Sequence, residues 1–442
     1  MPGEGSWKTL YQAERTQLIE EGYPVRCRPP AGEAPTERDW ERAYRRLWKV
    51  RGRGLRPDFA YVEPEDFEGI LADAEPVPTL ARLSDAEYAE RVGGAWYGRC
   101  AGLVLGKPLE VGWNRLEIRE YLESVDAYPL DDWVPIRSEV PGRTLPMGCL
   151  PSSRGHVRFV QPDDDIHYTI LSLLLAEAKG LDFTTADVGW SLLDNVPYHF
   201  LWFAERQVYY HMVNLTADRS VEEQVAEFPL RLNPYRECIA GQLKADLWGY
   251  LTPSDPRAGA RYIHRMCSLN LVKNGIYGGM LVSGCISAAL SPSPSVETII
   301  AGGLSCIPRR SRLAEAVRNV QRWYAETNDW TVTCDRIYDC YGHMYFAGTT
   351  NNVAIVVLAA LHGQLDFTRT ITTAVLCGID TDCNGATAGS ICGAAIGYES
   401  LDQRWIAPLK DTVKTAVAGF GEGRISDLVQ RTIACRQATR GR

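Results

Sequence analysis

Three carboxylates stand side by side at Asp163-Asp164-Asp165, ahead of Ile166-His167-Tyr168-Thr169-Ile170-Leu171-Ser172-Leu173-Leu174. Ile166, Ile170, Leu173 and Leu174 recur at helical spacing, which predicts a buried helix with the acids at its N-terminus. A helix start favours a carboxylate by about 1 kcal/mol at best, and only within the first turn. Adjacent ionised Asp side chains repel one another, and burial raises their pKa. A cation relieves that repulsion, and Mg²⁺ takes oxygen ligands of this kind. Taken alone, the run is explained as well by a solvated acidic cap. A second stretch, Gly378-Ile379-Asp380-Thr381-Asp382-Cys383-Asn384-Gly385, again crowds two Asp at the start of an apolar helix, this one running to Gly397. Two acidic helix starts, far apart in sequence, are expected to converge on one cation site.

The elements that must position them are helical. Gly94, Gly98, Gly102 and Gly106 fall every fourth residue behind the plausible N-cap Ser84-Asp85, and Gly385, Gly389, Gly393 and Gly397 repeat the pattern. A helical Gly costs roughly 1 kcal/mol relative to Ala, so four in register imply close approach of another backbone or a ligand. Glu110 follows the first glycine helix in the turn Gly106-Lys107-Pro108-Leu109-Glu110, either as a general acid or base or as an exposed carboxylate. Residues 126–162 read as a long loop leading into the acidic run, and loops of that length in a compact domain usually serve function. Lys273-Asn274-Gly275-Ile276-Tyr277 opens the apolar run to Leu290; its phosphate-cradle signal is weak, because neither GxxxxGK[ST] nor a strand-linked GxGxxG is present. Residues 311–326 read as a helix, the stretch with His343 and Tyr345 as a loop, and Asn351-Asn352 as a cap on Val353–Leu361. Strand alternation is scarce, so the fold class is all-α with long loops. The expected organisation is a helical extension over residues 1–84 packed on one catalytic domain over residues 85–442.

The bulk properties narrow the class. The chain has 442 residues, a net charge of −8 and 13 Cys. That charge disfavours nucleic acid as a partner, and the Arg42–Arg56 basic patch reads as a solvated face. An odd number of Cys without a CxxC pair suits reduced thiols in a cytoplasmic protein. No apolar h-region marks the N-terminus, and Gly275–Leu290 is too short and too rich in Gly and Ser for a membrane span. A GxSxG elbow, HExxH and paired Cys/His zinc spacing are absent from the sequence, which leaves an oxygen-ligand cation site.

Four segments in order resemble the ADP-ribosylglycohydrolase family, which includes the glycohydrolase that reactivates dinitrogenase reductase. Gly98-Arg99-Cys100-Ala101-Gly102-Leu103-Val104-Leu105-Gly106-Lys107-Pro108-Leu109-Glu110 is similar to GxxxGDALGxPxE. The Asp163–Ile170 stretch is similar to TDDTQMTL, Lys273–Tyr277 loosely to GNGAAMR, and Gly378–Gly389 to GxDTDTNAAxAG. The resemblance implies an all-helical fold with a two-magnesium centre. It carries metal ligation to Asp164, Asp165, Asp380 and Asp382, with Asp163 in the place of a ligand Thr or Glu. Glu110, Asp164 and Asp165 are implied in catalysis, and His167, Asn274, Gly275, Tyr277, Gly378 and Asn384 in holding substrate. The implied activity is metal-dependent cleavage of an N- or O-glycosidic bond in an ADP-ribosyl or related ribosyl or nucleoside compound, a small molecule, with Mg²⁺ or Mn²⁺. A non-hydrolytic biosynthetic enzyme of the same fold, or a binding protein with a decayed centre, is the alternative. Three positions depart from the pattern: Leu103 replaces an Asp, Ile166 a Thr, and Cys383 the Thr that supplies a hydroxyl ligand. A thiol serves hard Mg²⁺ poorly.

Overall fold

The helix Asp85–Gly106 (α3 below) has almost no polar face after Val92, and from there to Gly106 every residue is buried. A helix apolar all round belongs in the centre of a domain. Its start is set by a capping box, in which Ser84 Oγ accepts from the Glu87 N–H while the Glu87 carboxylate accepts from the Ser84 N–H. This computed structural model describes residues 5–31, 34–110 and 112–439. Among them the principal helices are α1 Trp7–Glu20, α2 Glu37–Trp48, α3, α4 Asp164–Lys179, α5 Lys273–Ala289, α6 Thr349–Gly363, α7 Phe367–Leu376 and α8 Thr381–Ile396, with shorter helices between. The one sheet among the described residues is an antiparallel pair, β1 Thr412–Lys414 and β2 Glu422–Arg424. The all-α expectation holds.

The two glycine helices are each other's partner. A Cβ on Gly102 would lie 1.9 Å from the Gly385 carbonyl oxygen, one on Gly98 2.2 Å from that of Gly389, and one on Gly94 2.3 Å from that of Gly393. The reciprocal positions are as tight, at 2.1 Å for Gly393 against the Gly94 oxygen. α3 and α8 therefore run antiparallel with their backbones touching. The Thr381 hydroxyl, donating to the Gly106 carbonyl at 2.8 Å, pins the start of α8 to the end of α3. This ladder sets the acidic start of α8 beside the Lys107–Glu110 turn.

α4 is held by Arg99 of α3, a fully buried guanidinium that donates to the Asp165 and Leu243 carbonyls and to the carboxylates of Asp165 and Asp246. β1 flanks the approach to α4, since Val160 N–H donates to the Thr412 carbonyl and Lys414 N–H to that of Val160, both at 2.9 Å. The long loop ahead of α4 is largely irregular, with one 3₁₀ turn at Met147–Ser152.

α1 and α2 share a small apolar cluster of Tyr11, Leu18, Trp40, Ala43 and Leu47. A buried ionic network ties them to the rest. Arg236 is bidentate to Glu14 at 2.9 and 3.0 Å and reaches Glu21 at 2.6 Å, and Lys273 meets Glu21 at 3.0 Å. A cavity of about 270 Å³ lies along this seam, lined by Glu20, Tyr235, Glu237, Arg312 and Tyr345 among others.

One local expectation is corrected, and one is refined. α6 begins at Thr349, so Asn351 and Asn352 sit inside its first turn, where the Asn352 amide donates back to the Phe346 and Gly348 carbonyls. His343 and Tyr345 lie in a loop as expected, and ahead of it runs a helix, Trp330–Tyr341, N-capped by Asp329.

Candidate active site

Six carboxylates meet where the end of α3, the start of α4 and the start of α8 converge. Asp163 is the N-cap of α4, its Oδ1 accepting from the Asp165 N–H at 3.0 Å. Asp382 Oδ1 accepts from the Cys383 N–H at 3.0 Å in the first turn of α8. One ligand atom each from Asp163, Asp164 and Asp165 lie within 4.8 Å of one another, as do single atoms of Asp165, Asp382 and Cys383. Asp163, Asp165, Asp380 and Asp382 are buried, and Asp164 is partly exposed at the rim.

Lys107 enters this cluster from the turn after α3. Its Nζ lies 2.5 Å from Asp163 Oδ2, 2.6 Å from Glu110 Oε2 and 3.4 Å from Asp382 Oδ2. The Asp163 contact is the shortest of the three ion pairs. Burial opposes the charge on Lys107, but Asp163, Asp382 and Glu110 outweigh it and hold the ammonium protonated. Burial, and next the charge of Asp382, push Glu110 up to about 8. Burial raises Asp164, Asp165, Asp380 and Asp382 as well, Asp165 and Asp380 further through Asp382 and Asp164 through Asp163. The Cys383 thiol, buried against Asp165 and Asp380, is driven up too and stays neutral. Burial is the larger cause on this thiol, and the carboxylates add to it.

The other motif residues have different work. His167 is fully buried; its Nε2 accepts from the Ala416 N–H at 3.0 Å, Phe200 packs edge-on against the ring, and burial brings its pKa down to about 4. It is a neutral packing residue. Asn384 joins helices, donating to the Asn352 side chain at 2.7 Å and accepting from Gln242. Gly378 has φ +76° and a Cβ there would meet the Trp113 carbonyl at 2.7 Å, so it makes the tight turn that delivers Asp380. The structure does not bring Asn274, Gly275 and Tyr277 into contact with the carboxylates. Asn274 is saturated by Glu63, Glu237 and the Leu313 N–H, Gly275 abuts the Arg236 carbonyl, and the Tyr277 hydroxyl donates to the Pro64 carbonyl. The extension supplies Glu63 and Pro64, which claim polar atoms that a ligand would otherwise use. Arg99 and Lys107, both inside the first motif segment, are the site residues that sequence reasoning passed over.

The donor set fits a divalent cation. It is almost wholly carboxylate oxygen, it carries more negative charge than Lys107 and Arg99 neutralise, and Asp165 Oδ2 is buried with no hydrogen-bond partner among the described residues. A helical domain with paired acidic helix starts around a cation-sized cluster defines a class, and the comparisons give it a family. A profile of the ADP-ribosylglycohydrolase family matches residues 84–439, so the chain belongs to that family. Among solved structures, one described as an ADP-ribosylglycohydrolase-related protein complex superposes with a TM-score of 0.50 at 16% identity, over 80% of this chain and 99% of that one. No curated protein matches. Among the described residues no helix is long and apolar enough to cross a membrane.

Proposed function

We propose that this protein hydrolyses an N- or O-glycosidic bond at the anomeric carbon of an ADP-ribosyl or related ribosyl or nucleoside small molecule, with a divalent cation at the acidic cluster. The observation that carries the reading is the meeting of the two acidic helix starts, where Asp165 and Asp382 bring carboxylate oxygens within 4.8 Å of each other. Asp164, Asp165, Asp380 and Asp382 would hold the ion. Bound Mg²⁺ or Mn²⁺ supplies orientation of vicinal hydroxyls and a lowered pKa of bound water. The chain does the rest. Glycosidic cleavage develops oxocarbenium character, which the surrounding carboxylates stabilise electrostatically. Glu110, the most exposed carboxylate that Lys107 holds, is placed to take a proton from attacking water. Its raised pKa suits that exchange near neutrality. Arg99 fixes the Asp165 backbone and carboxylate from beneath, so the cluster keeps its shape.

A mass-spectrometric screen with Mg²⁺ and with Mn²⁺ tests this. It takes ADP-ribosyl-arginine, an ADP-ribosyl-serine peptide, ADP-ribose conjugates and free nucleosides as substrates. Release of a free ribosyl product from at least one, abolished in Asp165→Ala and Asp380→Ala, is expected. No turnover, or turnover that survives both substitutions, sinks the proposal.

A further inference from the structure

The cavity of about 270 Å³ on the α1 seam has an aromatic wall and a polar wall. The aromatic wall is Tyr235 and Tyr345, whose ring centroids lie 5.4 Å apart, backed by Phe203 at 5.1 and 5.0 Å. The polar wall comes from α1. Gln17, only 7% exposed, donates from its amide nitrogen to Glu21 at 3.0 Å and to Glu237 at 2.7 Å. Two carboxylates at that nitrogen fix which end of the amide is oxygen. Gln17 Oε1 is thereby left without a hydrogen-bond partner among the described residues, and the Glu20 carboxylate has neither a hydrogen bond nor an ion pair among them. Arg312 is the one Arg or Lys that lines the cavity among the described residues, and its guanidinium is already shared by Glu63 and Glu237, at 2.7 Å each. The space therefore offers free acceptors and ring faces, and little to an anion.

We infer that this cavity binds a small organic cation, an alkylammonium or alkylguanidinium, held by the Glu20 carboxylate and Gln17 Oε1 with its alkyl stem along Tyr235 and Tyr345. Such a head group has donors and no acceptor, which matches the two free oxygens. The face of a tyrosine ring attracts it as well. It also supplies the counter-charge that Glu20 lacks in a setting where water is scarce. A hard divalent ion is served worse. It takes roughly six oxygens, and Glu20 belongs to no group of three metal-ligating side chains among the described residues. The volume suits a small ligand, since sites for drug-sized molecules run from about 300 to 1,000 Å³. None of the lining residues belongs to the acidic centre. Gln17 and Glu20 also lie outside residues 84–439, so the N-terminal segment adds this site to the family's domain.

Calorimetry on the full chain tests this with n-butylammonium, n-butylguanidinium and n-butylurea, the last a neutral match in shape to the second. At least one of the two cations is expected to saturate at one per chain below about 10 mM, with n-butylurea at least about tenfold weaker. Glu20→Gln keeps the shape, is checked by thermal melts, and should weaken the cation at least about tenfold. The pH dependence gives a second reading. Glu237, Glu21 and Arg312 are the charged groups that act on Glu20, and His343 lines the same cavity. Burial, and next the charge of Glu237, push Glu20 up to about 7. Affinity in wild type should therefore rise up to about tenfold from pH 6 to pH 8, as the ionised fraction of such a group does, and stay nearly flat in Glu20→Gln. No saturation by either cation, equal binding of n-butylurea, or affinity unchanged in Glu20→Gln overturns the assignment. So does a pH response that persists in Glu20→Gln, which places the titrating group elsewhere.

Discussion

Gly102→Ala, a single added methyl at the centre of the α3–α8 ladder, puts two opposed effects in competition. Intrinsic helix propensity favours Ala over Gly by roughly 1 kcal/mol, so an isolated helix would gain. In the folded protein the new Cβ would lie 1.9 Å from the Gly385 carbonyl oxygen and 2.4 Å from its carbonyl carbon. Ordinary contact needs about 3.3 Å, so the helices must separate by more than an ångström. A gap of 0.5–1 Å already forfeits a quarter to a half of each dispersion contact along the line of approach. Both neighbours are main chain, and neither can rotate away. Overpacking at such a site costs typically 1–3 kcal/mol and occasionally more. Spread along three further rungs, the loss should outweigh the propensity gain and leave a net destabilisation of about 3 kcal/mol. Gly93→Ala on the same helix is the control, because its nearest neighbour is Tyr398 Cβ at 3.3 Å. Its expected change is within about 1 kcal/mol. Urea titration followed by helical circular dichroism reads both. A Gly102→Ala chain equal to or more stable than wild type refutes the view that backbone contact, not chain flexibility, is why these glycines are there.

Three other outcomes follow from the structure. Arg236→Met strips the counter-ion from buried Glu14, while Glu21 keeps Lys273, and should cost about 3–5 kcal/mol; limited proteolysis should then cut between α1 and α2 sooner, and an unchanged digest contradicts this. Glu20 borders the seam cavity, and burial, then Glu237, push it up to about 7. A carboxyl whose folded pKa is raised stabilises fully below its unfolded value and loses that stability as pH climbs through 7, so Glu20→Gln should gain about 1–2 kcal/mol over wild type at pH 8 and nothing below pH 4.5. Equal differences at the two pH values would remove the argument. Cys383→Thr restores a hydroxyl beside Asp382 and should tighten Mg²⁺ binding roughly tenfold, with little change in melting; equal Mg²⁺ affinity leaves Cys383 as packing.

The features legible in sequence were those with a period or a local cluster. The glycine stripes at spacing four announced a backbone contact, and the paired Asp helix starts announced a centre. The residues that complete the centre carried no such mark. Lys107 in a Lys-Pro turn has the look of surface chemistry until the starts of α4 and α8 close on it with Asp163 and Asp382, the latter 275 residues later. Arg99 likewise looks like a break in an apolar helix until Asp165 and Asp246 surround it. Asn274, Gly275 and Tyr277 lie apart from the acidic centre, which their place in the sequence does not reveal. Residues of the N-terminal segment take up their polar atoms. No local pattern announces a competitor more than 200 residues away.

The α3–α8 contact also sets a schedule for making the protein. The Thr381–Gly106 bond that closes it spans 275 residues. At ribosomal rates of 5–20 residues per second, α3 waits roughly 14 to 55 s before α8 has been synthesised. Through that interval its glycine face has no mate. With glycine at every fourth residue, that face is a flat strip that offers a premature partner little to grip. The glycine face of this central helix is thus among the first made and the last covered, and the acidic centre at its end forms only when translation is nearly over.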